Sequence, residues 1–413
     1  MRVLFITMAR LRNAAEPGIY SDLLREFIAR GDQVFAVSPS EKREGLDTCQ
    51  YDSVGVTICR VKTGNLQKVG LLEKAVSTLL VEQQFKRGIR QFVGSEKIDL
   101  VLYSTPPVTF DGVVKYVKQR YRCRSYLLLK DIFPQNAVDL GMMRHGGLVW
   151  RHFRKRERRL YHLADWIGCM SEANVHYLLE NNPDLDPERV EVCPNSIEPR
   201  EMTAVEPVAT LRSRHGIPAD AMVVLFGGNL GKPQGLDFLL DVVDRSRSRD
   251  DVHYVIAGSG TEKQRVWDHF AAGGHANVTL LDYLPKDQYE KLLCLADVGL
   301  ILLDGRFTIP NFPSRLTAYM EAGMPVLAAT DTVSDIKDVL RDSDSGLWVQ
   351  WGDHEGFLAA IDRLRGNPSL RQAMGRRGRR YLEEHYTVAK AYETIMSHMT
   401  TPTGEGEEAH VRG

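Results

Sequence analysis

The sequence has few cysteines and few aromatic residues, and it has no long apolar run. Its six cysteines are scattered over 413 residues without a C-x-x-C pair, which argues against a disulfide framework and a zinc ribbon. We expect buried free thiols instead. No stretch of about 18 apolar residues could span a membrane, and the opening segment MRVLFITMAR lacks the longer hydrophobic region of a signal peptide. We therefore expect a cytoplasmic protein.

Two phosphate-binding signatures are also missing. Neither G-x-x-x-x-G-K-[ST] nor G-x-G-x-x-G occurs. The net charge of −1 and the pI near 6.9 argue against a dedicated nucleic-acid binder. The charge is unevenly distributed, because residues 1–200 carry 30 Lys and Arg against 24 Asp and Glu, and the remainder carries 23 against 30. The first half is therefore expected to meet an anionic partner.

Short β-branched runs alternate with amphipathic segments, and this pattern occurs twice. It predicts an α/β protein with two Rossmann-like doubly wound parallel sheets that face a cleft, one in an N-terminal domain (1–198) and one in a C-terminal domain (216–384). The aperiodic, proline-containing segment 199–215 predicts a linker. We expect residues 385–399 to form a helix that returns to the N-terminal domain, and residues 400–413 to form a disordered tail.

Three strand ends in the second half carry small residues, and two of them also carry a cation. The loop FGGNLGKPQGLDFLL (226–240) holds four glycines and Lys232, IAGSGTE (256–262) is similar, and the third strand end runs from Pro310 to Arg315. Glycines let backbone N–H groups approach an anion, and the carboxyl ends of parallel strands meet at one edge. The pattern favours one pocket for a diphosphate, with plain glycine-rich turns as the alternative.

The segment IPNFPSRLTAYMEAGMPV (309–326) places a cation at the start of a predicted helix. Ser314 is a suitable N-cap, and Gly323 with Pro325 marks the end. Arg315 then lies in the first turn, where it opposes the helix dipole by roughly 0.3–1 kcal/mol. An anion bound between the guanidinium and the free N–H groups would explain this placement.

Segments spread along nearly the whole chain carry a resemblance to a known family. They are GIYSDLLREFIARGDQVFAVSP (18–39), YSTPPVTFDGVV (103–114), KDIFPQNAVDLG (130–141), LADWIGCMSE (163–172), VEVCPNSIE (190–198), GGNLGKPQGLDFLL (227–240), PNFPSRLTAYMEAGMPVLA (310–328) and HYTVAKAYETI (385–395). In these segments the chain resembles a family-4 retaining glycosyltransferase of GT-B fold. It is similar to the branch that builds bacterial surface polysaccharides, including N-acetyl-L-fucosamine transferases of O-antigen assembly.

The resemblance implies a reaction and its partners. A nucleotide-sugar, UDP-linked, would donate its sugar with retention and without a metal ion or other cofactor. The acceptor would be a saccharide or a polyprenyl-diphosphate-linked saccharide in lipopolysaccharide biosynthesis. No nucleic-acid partner is expected.

The resemblance also implies site residues. Lys232 and Arg315 would stabilise the leaving diphosphate, and Asp131, which ends LLLKDIFPQN, would orient or deprotonate the acceptor hydroxyl. A helix-capping or ion-paired aspartate is the alternative for Asp131. The implied donor-binding residues are Gly18, Gly228, Asn229, Lys232, Gly258, Ser259, Gly260, Tyr283, Asn311, Phe312, Ser314 and Arg315.

The chain departs from the wider family at positions that usually hold charge. The two glutamates of the family motif fall on Pro310 and Ala318, and the arginine and lysine of its diphosphate loop fall on Asn229 and Gln234. The cationic role would therefore move to the lysine and arginine named above, and the expected ribose contact is removed.

Two pairs of acidic residues superficially resemble the D-x-D metal motif of the other glycosyltransferase fold. Asp184 with Asp186, and Asp342 with Asp344, lie in turn-rich strings where Asp favours local backbone bonds. We expect no metal at either pair.

Two segments combine basic and apolar residues in a helical pattern. Residues 144–166 hold seven Arg and Lys together with Trp150 and Phe153, and residues 69–92 are a second candidate. Each could be a solvated helix face, or could dock the protein on the anionic inner face of the plasma membrane.

Two other functions remain open. A sugar-nucleotide 2-epimerase of similar fold would use acidic and histidine residues in the cleft, where the sequence indicates no histidine. A catalytically silent nucleotide-sugar-binding partner is suggested by the missing glutamates.

Overall fold

The computed structural model describes residues 1–65, 71–202 and 206–399, with the side chains of 71–76 and 79 left out. The predicted tail at 400–413 lies outside the described residues, as does part of the predicted linker. None of the helices in the described ranges combines the length and the apolar character that crossing a membrane needs.

The first domain is built on an eight-stranded sheet in the order β3-β4-β2-β1-β5-β6-β7-β8. The strands are β1 Arg2–Ile6, β2 Gln33–Glu41, β3 Cys49–Ser53, β4 Val56–Thr63, β5 Leu100–Ser104, β6 Arg124–Leu129, β7 Trp166–Cys169 and β8 Val190–Val192. All neighbours pair in parallel except β3 and β4, which are antiparallel. The antiparallel edge strand was not predicted, because its polar sequence CQYDS lacks an apolar run.

The second domain is built on a six-stranded parallel sheet in the order β11-β10-β9-β12-β13-β14. The strands are β9 Met222–Asn229, β10 Val252–Ser259, β11 Val278–Leu281, β12 Val298–Leu302, β13 Val326–Thr330 and β14 Gly346–Gln350. The predicted fold class, two doubly wound parallel sheets, is therefore confirmed. The predicted domain boundaries at 198 and 216 fall between the two sheets and stay predictions.

Helices cover both sheets. They are α1 Ile19–Ala29, α2 Leu71–Gly88, α3 Asp111–Tyr121, α4 Gln135–Asp139, α5 Leu148–Leu163, α6 Glu172–Asn181, α7 Val208–Arg214, α8 Leu236–Arg245, α9 Lys263–Gly273, α10 Lys286–Leu295, α11 Arg315–Glu321, α12 Ile336–Ser343, α13 His354–Gly366, α14 Pro368–His385 and α15 Val388–Ser397. Short 3-10 turns occur at Lys42–Glu44, Val108–Phe110, Pro187–Arg189 and Lys232–Gln234, and a π-helical turn, Ile89–Val93, continues α2.

Helix α7 lies inside the segment predicted to be an aperiodic linker, so that prediction is wrong for Val208–Arg214. Leu211 is buried, and Arg212 donates to the carbonyl oxygen of Leu295 and to Asp297. One buried apolar side chain is too few to give a helical period, which is why the sequence pattern did not reveal this helix.

The chain crosses between the domains twice at neighbouring positions. The N–H of Ile197 donates to the carbonyl oxygen of Tyr386 at 2.9 Å, and the N–H of Val388 donates to that of Ile197 at 3.1 Å. Helix α15 then packs on the first domain, where the rings of Tyr392 and Phe27 lie 4.8 Å apart.

All six cysteines are free, as predicted, and four of them are buried. Burial raises the pKa of Cys59 to about 12 and that of Cys123 to about 11. These thiols are therefore packing groups rather than nucleophiles.

Candidate active site

The candidate active site is a cleft between the two domains, at the carboxyl ends of both sheets. Its cavity has a volume of about 450 Å³. The first domain contributes the end of β6 and the start of α6, and the second contributes the loop after β9 and the segment before α11. The residues that line this cleft include Lys130, Asp131, Asn174, Gly228, Asn229, Gln234, Tyr289, Asn311, Phe312, Ser314 and Arg315.

Arg315 lines this cleft, and it has no charged partner within the described ranges. Its Nη2 donates to Oε1 of Gln234 at 2.7 Å, and its Cζ lies 4.5 Å from the ring centroid of Phe226. Its Nη1 is buried and has no hydrogen-bond partner in the part of the chain that the structure describes. Burial lowers the pKa of Arg315 from its ordinary value, although a guanidinium remains protonated in proteins. An unpaired buried cation is costly, and an anion bound in the cleft would remove that cost.

Helix α11 begins at Arg315 and runs for seven residues. Gly323 follows it with a φ of 63°, as expected at a helix end. The N-cap prediction is wrong in detail, because the Ser314 side chain makes no capping hydrogen bond and its backbone is helical. In so short a helix, the guanidinium rather than the helix dipole is the main attraction for an anion.

The carboxyl end of β9 brings open backbone to the same place. Gly228 has a φ of 119°, and a Cβ placed there would lie 3.7 Å from Nη2 of Arg315. The guanidinium therefore lies alongside backbone that carries no side chain. This arrangement joins a cation to a glycine loop, as the sequence predicted.

The second glycine loop supports the first and does not line the cleft. A Cβ on Gly258 would lie 1.9 Å from the carbonyl oxygen of Gly228, and one on Gly260 would lie 2.1 Å from that of Leu230. The predicted donor contacts of Gly258, Ser259 and Gly260 are therefore not supported. These residues let β9 and β10 approach closely enough to hold the first loop in place.

Three other predicted donor residues also lie away from the cleft lining. Lys232 is exposed at the start of a 3-10 turn, and Tyr283 is 72% exposed after β11. Gly18 begins α1, where its N–H donates to Asp22 Oδ1 at 2.7 Å. The predicted diphosphate role of Lys232 is not supported, since the lysine is exposed and does not line the cleft.

Asp131 lines the first-domain side of the cleft. Its Oδ1 accepts a hydrogen bond from Nδ2 of Asn136 at 2.9 Å. Burial raises the pKa of this carboxyl to about 6, although the bond from Asn136 favours the charged form. Among the described residues it forms neither an ion pair nor a helix cap, which were the alternatives. A carboxylate with a pKa near neutrality is suited to accept a proton from a hydroxyl.

Lys130, which the sequence analysis did not select, is the second cation in the cleft lining. Its Nζ donates to the carbonyl oxygen of Cys193 at 3.1 Å, and burial lowers its pKa to about 8. Its position next to Asp131 at a strand end was the available signal. Lys130 was not selected because a lysine that follows an apolar run usually marks only the end of a strand.

Three polar residues were also missed. Gln234 holds Arg315, Tyr289 lies against Gly227, and Asn174 donates from Nδ2 to the carbonyl oxygen of Pro310 at 2.9 Å, which joins the domains beside the cleft. These contacts depend on how distant segments meet. No spacing in the sequence could indicate them.

The acidic pairs considered for metal binding have local partners. Asp184 is 2.8 Å from Arg158, and Asp344 is 2.9 Å from Arg377. Oδ1 of Asp186 accepts from the N–H of Glu188 at 3.0 Å. These contacts are those of structural surface carboxylates.

Comparison with known proteins agrees with this architecture. Residues 208–381 match the family described as Glycosyl transferases group 1. The chain is 22% identical over 287 residues to the glycosyltransferase WbjE of Pseudomonas aeruginosa, covering 68% of this chain and 70% of the relative. It is 23% identical over 274 residues to WcaI of Escherichia coli K12, a glycosyl transferase named for colanic acid biosynthesis, covering 65% of this chain and 63% of the relative.

The fold has solved counterparts. An Escherichia coli structure named for trehalose-6-phosphate and bound with UDP-2-fluoro glucose matches with a TM-score of 0.74 at 13% identity, covering 98% of this chain and 100% of the other. The match establishes the GT-B fold. Together with the relatives and the family match, which covers residues 208–381 only, it supports a glycosyltransferase of GT-B fold.

Proposed function

We propose that the protein transfers a sugar from a UDP-linked donor to a saccharide acceptor, with retention and without a metal ion. The observation that carries this proposal is the buried guanidinium of Arg315, whose Nη1 has no hydrogen-bond partner among the described residues, beside the open backbone of Gly228. A diphosphate would supply the missing negative charge. The solved counterpart bound with UDP-2-fluoro glucose supports UDP as the nucleotide.

The second domain would stabilise the leaving group. Negative charge grows on the diphosphate as the bond to the sugar breaks, and a fixed cation in a partly dry cleft stabilises such charge without moving a proton. Arg315 is held by Gln234 and by the ring of Phe226, so little reorganisation is needed at that moment. In this account Arg315 carries the role that the sequence had divided between two cations.

The first domain would handle the acceptor. The acceptor hydroxyl would attack from the face on which the diphosphate leaves, with Asp131 orienting that hydroxyl or accepting its proton. Lys130 lies in the same wall and adds positive charge where donor phosphate and acceptor meet. The sugar would thus be enclosed between the two domains.

We also propose that the acceptor is a polyprenyl-diphosphate-linked saccharide used in cell-surface polysaccharide biosynthesis. The relative named for colanic acid biosynthesis supports the polysaccharide role. Exposed apolar residues before and at the start of α5 support a membrane location: Met142 is 65% exposed, Leu148 is 85% exposed and Val149 is 59% exposed. We call these residues, together with exposed Arg144 and Arg151, the α5 patch.

The remainder of α5 is less available to a membrane. Arg154 pairs with Glu157, and Arg156 pairs with Asp111 and Glu82. In the other basic segment, Lys86 pairs with Glu82, and residues 69 and 70 lie outside the described residues. Docking would therefore use the start of α5 rather than its whole length.

One assay tests the proposed reaction against its rivals. Purified protein is incubated with UDP-, GDP- and dTDP-sugars and a membrane lipid extract, with and without a chelator, and all products are followed by mass spectrometry. Chelator-resistant transfer from a UDP-sugar supports the proposal, and the anomeric configuration of the product tests retention. An epimerised donor would show the isomerase, and donor binding without turnover would show the silent partner.

A further inference from the structure

Asp244, His269 and His275 bring three metal-ligating atoms together on the second domain. Oδ1 of Asp244 lies 3.0 Å from Nε2 of His269 and 2.7 Å from Nε2 of His275. All three ligand atoms lie within 4.8 Å of one another. Both imidazoles therefore converge on a single carboxylate oxygen.

The cluster is held in place by its surroundings. Phe270 is buried, and its ring meets both imidazoles edge-on, with centroid distances of 5.2 Å to His269 and 5.1 Å to His275. Gly274 ends α9 with a φ of 60°, and Gly273 leaves room for the His275 ring, because a Cβ there would lie 2.2 Å from its Cε1. The chain thus turns back so that His275 faces α8.

His275 is held in a buried position with its Nε2 directed at Asp244. Its side chain is only 3% exposed, and its Nδ1 makes no hydrogen bond among the described residues. A ligand role requires the tautomer with the proton on Nδ1, in which the Nε2 lone pair is directed toward Asp244.

We propose that these residues form a binding site for Zn²⁺ or a similar late transition-metal ion. Imidazole and carboxylate suit such ions, with metal–ligand distances of about 2.0–2.2 Å. A tetrahedral ion at those distances separates its ligands by about 3.3 Å, so the carboxylate need only withdraw by a few tenths of an ångström. Solvent would complete the coordination, since Asp244 and His269 are 43% and 34% exposed.

The site lies away from the cleft. Asp244 is near the carboxyl end of α8, and His269 and His275 lie at the end of α9 and just beyond it. In a doubly wound domain the helices run back from the carboxyl ends of the strands, so these helix ends lie at the opposite edge of the sheet. The ion would join α8 to the end of α9 and stabilise the second domain, independently of the proposed transfer reaction.

The test titrates ZnCl₂ into tag-free protein against a chromogenic chelator and follows the melting temperature in parallel. We expect one ion per chain and a higher melting temperature. His269→Ala and His275→Ala should each lower the zinc affinity by about tenfold to 100-fold or more. Mutation of the groups that only support metal ligands already lowers metal affinity by that factor. Both variants should also lose the zinc-dependent thermal shift.

His162→Ala is the matched control, because His162 also contacts an aspartate, Asp184, at 2.8 Å but belongs to no three-ligand cluster among the described residues. Its zinc affinity should equal that of the wild type. Absence of stoichiometric binding, or equal affinity in the His269, His275 and His162 variants, would overturn the proposal. If a cluster variant folds poorly, His269→Gln with an unchanged circular dichroism spectrum provides the same comparison.

Discussion

At the scale of single residues, Arg315 could be located from the sequence but not explained by it. Its position in the first turn of a short helix was predicted, as was its meeting with a glycine loop. The contacts that hold it, to Gln234 and Phe226, arise from residues 81 and 89 positions away and have no sequence signature. Sequence reasoning therefore found the cation and missed its support.

Asp131 should give the transfer rate a pH dependence. Burial raises the pKa of the carboxyl to about 6, and a base must be deprotonated, so the rate should rise with pH through about 6 and level off above it. Asp131→Asn should remove that limb and lower turnover by roughly 100-fold or more. Initial rates from pH 4.5 to 8 with a saturating donor provide the measurement.

The free energy of unfolding of the same variant provides a control, because its expected dependence on pH is opposite to that of the rate. A raised folded-state pKa favours the protonated form, so the stabilisation from this carboxyl is present at low pH and lost as pH rises through about 6. Asp131→Asn should therefore be at least as stable as the wild type at pH 7. A large loss of stability there would show that the aspartate has a structural role instead.

Lys130 and Lys232 should behave differently, because only the first lines the cleft. A hydrogen bond to a charged group contributes about 1.5–3 kcal/mol, so Lys130→Gln should lower kcat/KM by roughly tenfold to 100-fold. Lys232→Gln, which changes an exposed side chain, should stay within about twofold of the wild type. Steady-state kinetics with both substrates varied measure these changes. If Lys232 held the diphosphate, as the sequence predicted, Lys232→Gln would lower kcat/KM more than Lys130→Gln.

At the scale of elements, strands with apolar sequences were predictable and contacts between loops were not. The six strands of the second domain all coincide with apolar or β-branched runs that the sequence displays. The close pairing of Gly258 at the end of β10 with Gly228 at the end of β9 is visible only in three dimensions. The sequence therefore gave both glycine loops the same role, whereas one faces the cleft and the other supports it.

Gly258→Ala tests the supporting role of the second loop. Its Cβ would lie 1.9 Å from the carbonyl oxygen of Gly228 at a φ of 155°, so the paired ends of β9 and β10 must separate. Steric overpacking of this kind costs about 1–3 kcal/mol, measurable as a lower urea midpoint, and donor affinity should fall with it. Gly366→Ala is the control, because nothing lies within 4 Å of a Cβ there, and it should be neutral or slightly stabilising.

The α5 patch should bind anionic vesicles. Leu148→Gln combined with Val149→Gln removes exposed apolar area while keeping Arg144 and Arg151, so binding should fall but not vanish. Each nearby basic residue contributes about 1 kcal/mol, and added salt should therefore weaken the binding that remains. Co-sedimentation with phosphatidylglycerol and phosphatidylcholine vesicles measures both effects.

Val333→Gln is the control for that experiment. Val333 is 41% exposed in the second domain, outside the α5 patch, so its substitution should leave vesicle binding unchanged. Equal vesicle binding by the wild type and the α5 double variant would show that these apolar residues do not contact the membrane.

At the scale of the whole molecule, the sequence was sufficient for the architecture. Two series of alternating strands and helices predicted two sheets, and the carboxyl ends of both sheets predicted the cleft. The apposition of the domains depends on contacts such as Ile132 with Ile309 and Asn174 with Pro310, which join segments from the two halves. Those contacts decide which predicted residues reach the cleft, so the fold was predicted more completely than the site.

The central claim is that Arg315 receives the diphosphate of a UDP-sugar, and the affinity for UDP relative to uridine tests it most directly. Calorimetric titration should show that the wild type prefers UDP, and that Arg315→Ala reduces this preference by roughly tenfold to 100-fold, as expected for losing a charge-assisted hydrogen bond. Affinity for uridine should change little, and Lys232→Ala should retain the full preference. An unchanged preference in Arg315→Ala would contradict the account.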